Sequence, residues 1–148
     1  MNSWGSYNPA IASDFVKQFE GRELKAYQCS AGKWTIGYGH VNGVQEGDEI
    51  SPAEAEQLLV EDLTAISDDL NRLVNVPVSE GQYIALLSLA FNVGASAVKK
   101  STLLFHLNHK RYEAAAEFDK WVYAGGKVSE GLKRRRAAER ELFENDLA

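Results

Sequence analysis

The sequence predicts an α+β fold, with a small β-hairpin or sheet in an N-terminal lobe and a larger, all-helical C-terminal lobe. Three observations predict it. β-Forming residues cluster between residues 24 and 44, two capping boxes open long apolar helices, and helical periodicity governs most of the remainder. A chain of 148 residues fits a single domain with lobes at approximately 12–65 and 75–148. We expect a long helix to join the lobes and a cleft between them to hold a substrate.

The first helix begins at Asn8-Pro9, where an N-cap residue precedes proline at the first helical position. Apolar side chains then recur every four residues, at Ile11, Phe15 and Phe19. We expect this helix to pack on the C-terminal lobe and to end at Gly21. Glu20 would then lie at the C-terminal end of a helix, where the macrodipole disfavours negative charge and favours a proton-bearing carboxyl.

The β-forming segment that follows is rich in aromatic and branched residues and is interrupted by a turn at 30–32. This pattern predicts either an antiparallel hairpin or a three-stranded sheet. Gly37 and Gly39 alternate within it, which indicates a sharp bend or the close approach of another group to the backbone. Cys29, the only cysteine, directly precedes the turn and has no partner for an internal disulfide.

Two capping boxes mark the next two helices. The box at 51–54 carries proline at the first helical position and opens a helix over 52–73 with one apolar face. Pro77 stops that pattern, and the second box at 79–82 follows it directly. The segment 83–93 is apolar nearly all round, so it is predicted to be the buried central helix.

Three further helices are predicted toward the C-terminus, over 102–108, 111–124 and 132–145. Gly125-Gly126 separates the last two. In the helix over 111–124, six side chains are expected to pack inward: Tyr112, Ala115, Ala116, Phe118, Trp121 and Val122.

Composition and charge exclude several classes of function. With 45% hydrophobic and 25% charged residues, the chain has the composition of an ordinary globular protein. A net charge of −5 argues against a nucleic-acid partner, although residues 133–136 are all basic. The longest apolar run is far shorter than the ~20 residues of a membrane span, and the first residues carry no export signal. We therefore expect a protein that is made in the cytoplasm and has no membrane span.

The residue types that could carry chemistry lie mostly between residues 20 and 40. Glu20 is a candidate proton donor, with a solvated helix-end glutamate as the alternative. Cys29 could be a small buried hydrophobe, a nucleophile, a metal ligand or a regulatory thiol. Thr35 and His40, taken alone, would be ordinary structural residues, and the three histidines and one cysteine lack metal-ligand spacing. A basic residue within 133–136 is expected to pair with a carboxylate, for which Glu20 is a candidate.

Glu20, Cys29 and Thr35 follow one another as Glu-x8-Cys-x5-Thr, within the stretch that ends in TIGYGH. This spacing closely resembles the phage-type lysozymes, the endolysins and muramidases of glycoside hydrolase family 24. The likeness extends along nearly the whole chain, through the segments 85–94, 101–108, 118–121 and 126–142. One position departs from many family members, which have aspartate where this chain has Cys29.

The resemblance implies a lysozyme-like fold and hydrolysis of the β-1,4 bond between N-acetylmuramic acid and N-acetylglucosamine in peptidoglycan, without cofactor or metal. It implies that Glu20 is the general acid, that Thr35 positions water or the sugar on the opposite face, and that Cys29 occupies the second catalytic position. Four further residues would bind substrate or shape its site: Phe91, Asn92, His40 and Arg135. Arg135 would be the ion-pair partner of Glu20, with Arg136 and Arg134 as the alternatives.

The implied setting is a monomeric phage or prophage enzyme. It would wait in the host cytoplasm for a separate holin and then act in the periplasm on the cell wall. Two alternatives stay open. A lytic transglycosylase would cleave the same bond without water, which suits a thiol that is neutral and cannot take a proton from water. A non-catalytic peptidoglycan-binding module would keep only the cleft, although the intact Glu20, Cys29 and Thr35 set argues against it.

Overall fold

The computed structural model describes residues 1–145. The N-terminal segment forms two short 3-10 helices, Trp4–Ser6 and Pro9–Ala12, followed by helix α1, Ser13–Lys17. The predicted cap at Asn8 is confirmed, since its side chain accepts a hydrogen bond from the backbone N–H of Ala10 at 3.0 Å. Regular helix ends at Lys17, earlier than predicted, because the backbone closes into shorter-range bonds at Gln18. Glu20 therefore lies just beyond the helix rather than in its last turn.

The same segment is fastened to the helical body. The Trp4 indole donates to the backbone carbonyl of Ser67 at 2.9 Å, and its side chain is buried. Asn2 and Val78 exchange a pair of backbone hydrogen bonds of 2.9 and 2.8 Å. The first residues thus close the body on the side where the chain enters its central helix.

The β-rich segment is a hairpin of two antiparallel strands, β1 (Glu23–Gln28) and β2 (Trp34–Gly37). A tight turn joins them, in which the Gly32 N–H donates to the Cys29 carbonyl at 2.8 Å and Gly32 has a φ of 78°. Residues 48–50 lie alongside β1 through an isolated bridge between Lys25 and Glu49. Of the two predicted forms, the hairpin is the one observed.

Helix α2, Pro52–Asn71, follows the predicted capping box. The Ser51 hydroxyl accepts from the Glu54 N–H, and the Glu54 carboxylate accepts from the Ser51 N–H, both at 3.1 Å. Helix α3, Glu80–Val93, begins with the second predicted box, at Ser79 and Gln82. Nine of its fourteen residues are buried, which confirms the prediction of a central helix. Gly94 ends it with a φ of 93°, in the region that favours glycine.

Beyond the central helix, α4 (Ala95–Lys99) was not predicted, whereas α5 (Thr102–Asn108) has its predicted cap, the Ser101 hydroxyl. The predicted helix over 111–124 is wrong. Only α6, Glu113–Glu117, and a 3-10 turn, Phe118–Lys120, are helical there. The chain then forms a second hairpin from β3 (Tyr123–Ala124) and β4 (Lys127–Val128).

The glycine pair explains that error. Gly125 and Gly126 have φ values of 58° and 80°, the left-handed conformation that a two-residue hairpin turn requires at both central positions. They therefore turn a strand back on itself instead of stopping a helix. Tyr112 is 76% exposed and Ala116 is also exposed, contrary to the predicted inward packing, while Phe118 is buried as predicted.

The last helix, α7 (Glu130–Asn145), packs along α3 at the centre of the helical body. One hydrophobic core extends through this body and reaches Tyr38 at the base of the first hairpin. Among residues 1–145, no helix combines the length and the apolar character needed to cross a bilayer.

Candidate active site

Glu20 lies between the end of α1 and the first hairpin, and its partner comes from the far end of the chain. Arg135 on α7 donates through Nη1 to Glu20 Oε1 at 2.6 Å. The Arg135 side chain is 4% exposed and that of Glu20 is 23% exposed. A buried guanidinium thus holds one carboxylate oxygen of a half-buried glutamate. Of the three arginines that the sequence offered for this pair, Arg134, Arg135 and Arg136, Arg135 is the one in contact.

Arg135 is itself fixed by three other groups. Its Nε donates to Glu139 Oε2 at 3.3 Å, and its Nη2 donates to the Ser88 carbonyl at 3.0 Å. Its guanidinium also lies over the ring of Phe19, 5.6 Å from the ring centre. Because these contacts come from α3, α7 and the N-terminal segment, Arg135 has little freedom to change its direction.

Glu139 is a fully buried carboxylate that sequence analysis did not single out as a functional residue. It accepts from the Ser88 hydroxyl at 2.6 Å, and its Oε1 lies 2.7 Å from Arg136 Nε as an ion pair without hydrogen-bond alignment. Burial raises the pKa of Glu139, while the charges of Arg136 and Arg135 act against that rise. The arginines precede Glu139 by three and four residues on α7, and this helical spacing was the available signal.

Arg136 continues the network to the surface of the cleft. It is 1% exposed, and burial lowers its pKa. Its Nη2 donates to Asn92 Oδ1 at 2.9 Å. Asn92 is exposed at the end of α3, next to the half-buried Phe91. The buried charges on α7 therefore reach two exposed or half-exposed polar side chains, Glu20 and Asn92.

These two side chains form the shared wall of adjoining cavities. One cavity, of about 420 Å³, lies between the loop after the first hairpin and helices α2 and α3. A second, of about 430 Å³, lies between the end of the N-terminal segment and the start of α7. Glu20 and Asn92 border both. A third cavity of about 290 Å³ is bordered by Asn92 and by Trp121. An extended polymer laid through this groove would pass Glu20 and Asn92.

Cys29 and Thr35 lie together on the first hairpin. Hydrogen bonds from the backbone of Lys33 and of Ala31 lower the pKa of the Cys29 thiol, and the Thr35 side chain adds to this effect. Thr35 is 2% exposed, and its hydroxyl donates to the Lys33 carbonyl at 3.0 Å. The turn thus favours the thiolate of Cys29, which is a free cysteine.

His40 lies behind the wall of the first cavity. Its Nδ1 is 2.9 Å from the Asp62 carboxylate, and its Nε2 is 2.9 Å from the Asn42 carbonyl. Asn42 and Asp62 border the cavity, on the loop and on α2 respectively. Both ring nitrogens are therefore engaged by protein atoms, and the ring ties the loop to the helix. Within residues 1–145, no three His, Cys, Asp or Glu side chains are grouped as a metal site.

Comparisons with known proteins identify the family of this chain. Residues 17–139 match the protein family described as phage lysozyme. The chain is 47% identical over 135 residues to an endolysin from Acyrthosiphon pisum secondary endosymbiont phage 1, covering 88% of this chain and 92% of that protein.

Solved structures confirm the predicted lysozyme-like α+β fold. The muramidase domain of SpmX from Asticaccaulis excentricus superimposes with a TM-score of 0.84 at 38% identity, covering 90% of this chain and 94% of that one. A P22 lysozyme mutant superimposes with a TM-score of 0.80 at 43% identity, covering 90% and 95%. The chain therefore belongs to the phage lysozyme family, and it is an enzyme of the endolysin class.

Proposed function

We propose that this enzyme hydrolyses the β-1,4 bond between N-acetylmuramic acid and N-acetylglucosamine in peptidoglycan, as a family 24 glycoside hydrolase with cysteine at the second catalytic position. Glu20 acts as the general acid. One observation carries the proposal: Glu20 is a half-buried carboxyl at the wall of two adjoining cavities, and a buried arginine holds it at 2.6 Å.

The ion pair assigns different tasks to the two carboxyl oxygens. Arg135 occupies Oε1, so Oε2 is the oxygen left to carry the proton toward a bound sugar. Transfer of that proton to the glycosidic oxygen lets the bond to the anomeric carbon break, through a transition state with oxocarbenium character. The leaving sugar departs as an alcohol, and the positive charge stays on the other ring.

Water must then reach the anomeric carbon and lose a proton. We assign this task to the thiolate of Cys29, with Thr35 as a neighbour that fixes it and positions the water or the sugar. The lowered pKa of Cys29 supports the assignment, because a larger fraction of the thiol is ionised near neutral pH. A base is needed on the face opposite the acid in an inverting hydrolysis.

The remaining predicted residues take supporting roles. Phe91 offers an apolar surface beside Glu20 for a sugar ring. Arg135 acts through Glu20, and His40 acts through Asn42 by holding the loop that borders the cleft. No cofactor enters the proposed reaction.

In its biological setting, the enzyme is a monomeric phage or prophage endolysin. It waits in the host cytoplasm and reaches the wall after a separate holin opens the inner membrane. It then works in the periplasm on peptidoglycan. The family match and the endolysin relatives support the assignment to the phage endolysins.

Mass spectrometry of muropeptides released from purified peptidoglycan, with reductant present, tests the reaction. Reducible N-acetylmuramic acid ends are expected, and their loss in Glu20→Gln would tie them to the general acid. 1,6-Anhydro-muramic ends would instead identify a lytic transglycosylase. If the folded protein binds peptidoglycan but releases nothing, the chain is a binding module and the proposed reaction is wrong.

A further inference from the structure

Asn92 presents a side-chain amide whose direction is fixed from behind. Its Oδ1 accepts from Arg136 Nη2 at 2.9 Å. Guanidinium groups carry only donors, so the amide must turn its oxygen toward Arg136 and not its nitrogen. The NH2 group is therefore the part of the amide left for other partners. Among residues 1–145, no protein acceptor is found for it.

The group that fixes the amide is rigid. Arg136 is 1% exposed and is paired with Glu139, which is 0% exposed and is also held by Ser88. A buried pair on one helix leaves the guanidinium little freedom, and an exposed side chain anchored to it keeps its orientation. Asn92 is thus a preset hydrogen-bond donor at the surface of the cleft.

The position of the Asn92 amide in the cleft determines which substrate group it can hydrogen-bond. Asn92 borders both cavities that Glu20 borders, and it also borders the cavity beside Trp121. A sugar seated for cleavage at Glu20 therefore lies next to the Asn92 amide. The strongest neutral acceptor on an N-acetylated sugar is the carbonyl oxygen of its acetamido group. The de-N-acetylated sugar carries an ammonium group there, which is a donor and meets the amide donor to donor.

We propose that Asn92, held by Arg136, is a specificity-determining residue that donates to the N-acetyl carbonyl of the sugar beside Glu20 and selects N-acetylated over de-N-acetylated glycan. This inference rests on the proposed function. It assigns recognition of the substrate's acetyl group to the side-chain NH2 donor of Asn92.

The substitution Asn92→Asp tests it, because aspartate keeps the shape and still offers an oxygen to Arg136 but replaces the donor with an acceptor. Purified peptidoglycan and the same material after chemical de-N-acetylation are the two substrates, and the ratio of their initial release rates is the readout. Asn42→Asp is the matched control. It adds the same charge to the wall of the same cavity, but it does not touch Arg136.

The wild-type enzyme is expected to prefer the N-acetylated substrate, and Asn92→Asp is expected to reduce that ratio by at least about tenfold. Asn42→Asp is expected to change it by less than about threefold, because it leaves the Asn92 donor in place and an exposed charge contributes little. An unchanged ratio in Asn92→Asp, or an equal fall in Asn42→Asp, would overturn the inference while hydrolysis itself stands. If the wild-type protein releases no product from either substrate, the proposed function fails, and the inference fails with it.

Discussion

Replacing Arg135 with lysine tests whether the several N–H donors of its guanidinium, and not merely a positive charge, hold the candidate active site in place. The guanidinium reaches three directions at once, toward Glu20, Glu139 and the Ser88 carbonyl. A lysine ammonium is a single point and can keep one of these contacts at a side chain that is 4% exposed. The substitution Arg135→Lys therefore removes about two hydrogen bonds that involve charged groups.

Each bond of that kind contributes about 1.5–3 kcal/mol, and removing one partner of a buried ion pair costs about 3–5 kcal/mol. We expect the free energy of unfolding to fall by about 3–5 kcal/mol, which is a shift in Tm of roughly 6–20 °C for a chain of this size. We also expect kcat to fall more than KM changes, because Glu20 loses its orientation while the cavity walls stay in place.

Urea and thermal unfolding, together with initial rates on purified peptidoglycan, measure both effects. Arg140→Lys is the matched control on the same helix. Arg140 pairs with Asp119 and Glu144 at the surface, and its side chain is 37% exposed, so its replacement should cost less than about 1 kcal/mol. If Arg135→Lys unfolds at the same urea concentration as Arg140→Lys and retains wild-type kcat, the several hydrogen bonds of the Arg135 guanidinium neither stabilise the protein nor orient Glu20.

Four further predictions concern the same site. Glu20→Gln should lower the rate of muropeptide release by ~10²–10⁴-fold, and retention of a tenth of the activity would rule out the general acid. Cys29→Ser should lose most activity and Cys29→Asp should keep a substantial part, whereas a fully active Cys29→Ser would make Cys29 a packing residue. The rate at which iodoacetamide alkylates Cys29 should rise with pH through a midpoint below 9.0, the ordinary value for the thiol, because hydrogen bonds from the backbone of Lys33 and of Ala31 lower the pKa of Cys29. A midpoint at or above 9.0 would remove the support for a thiolate base. Asp62→Asn should destabilise the protein by about 0.5–2 kcal/mol and lower the rate, since it loosens His40 and the loop at Asn42, and a shift in Tm without a change in rate would show that the loop is held by other contacts.

Local signals in the sequence were enough to predict where α2, α3 and α5 begin. The boxes at Ser51 and Ser79 are complete within four residues each, so no distant contact is needed to read them. The hairpin at Gly125-Gly126 carried an equally local signal, the glycine pair of a two-residue turn, which was interpreted as a helix stop. The error arose because the residues before it have helical periodicity, and that periodicity ends with the 3-10 turn at Phe118–Lys120.

The site depends on a different kind of information. That Arg135 rather than Arg136 contacts Glu20 follows from the rotation of α7 against α3, which a run of four basic residues cannot reveal. Glu139 was missed for the same reason: a glutamate on a charged helix usually faces water, and only packing against Ser88 shows that this one is buried. Long-range packing therefore determines which charged side chains belong to the candidate site.

The distance along the chain between Glu20 and Arg135, 115 residues, has a consequence for synthesis in the host. A ribosome must complete nearly the whole polypeptide before the carboxyl meets the guanidinium that holds it. Nascent chains and fragments that stop before residue 135 therefore contain Glu20 without the arginine that contacts it. The contact between Glu20 and Arg135 can therefore form only in a chain that extends at least to residue 135.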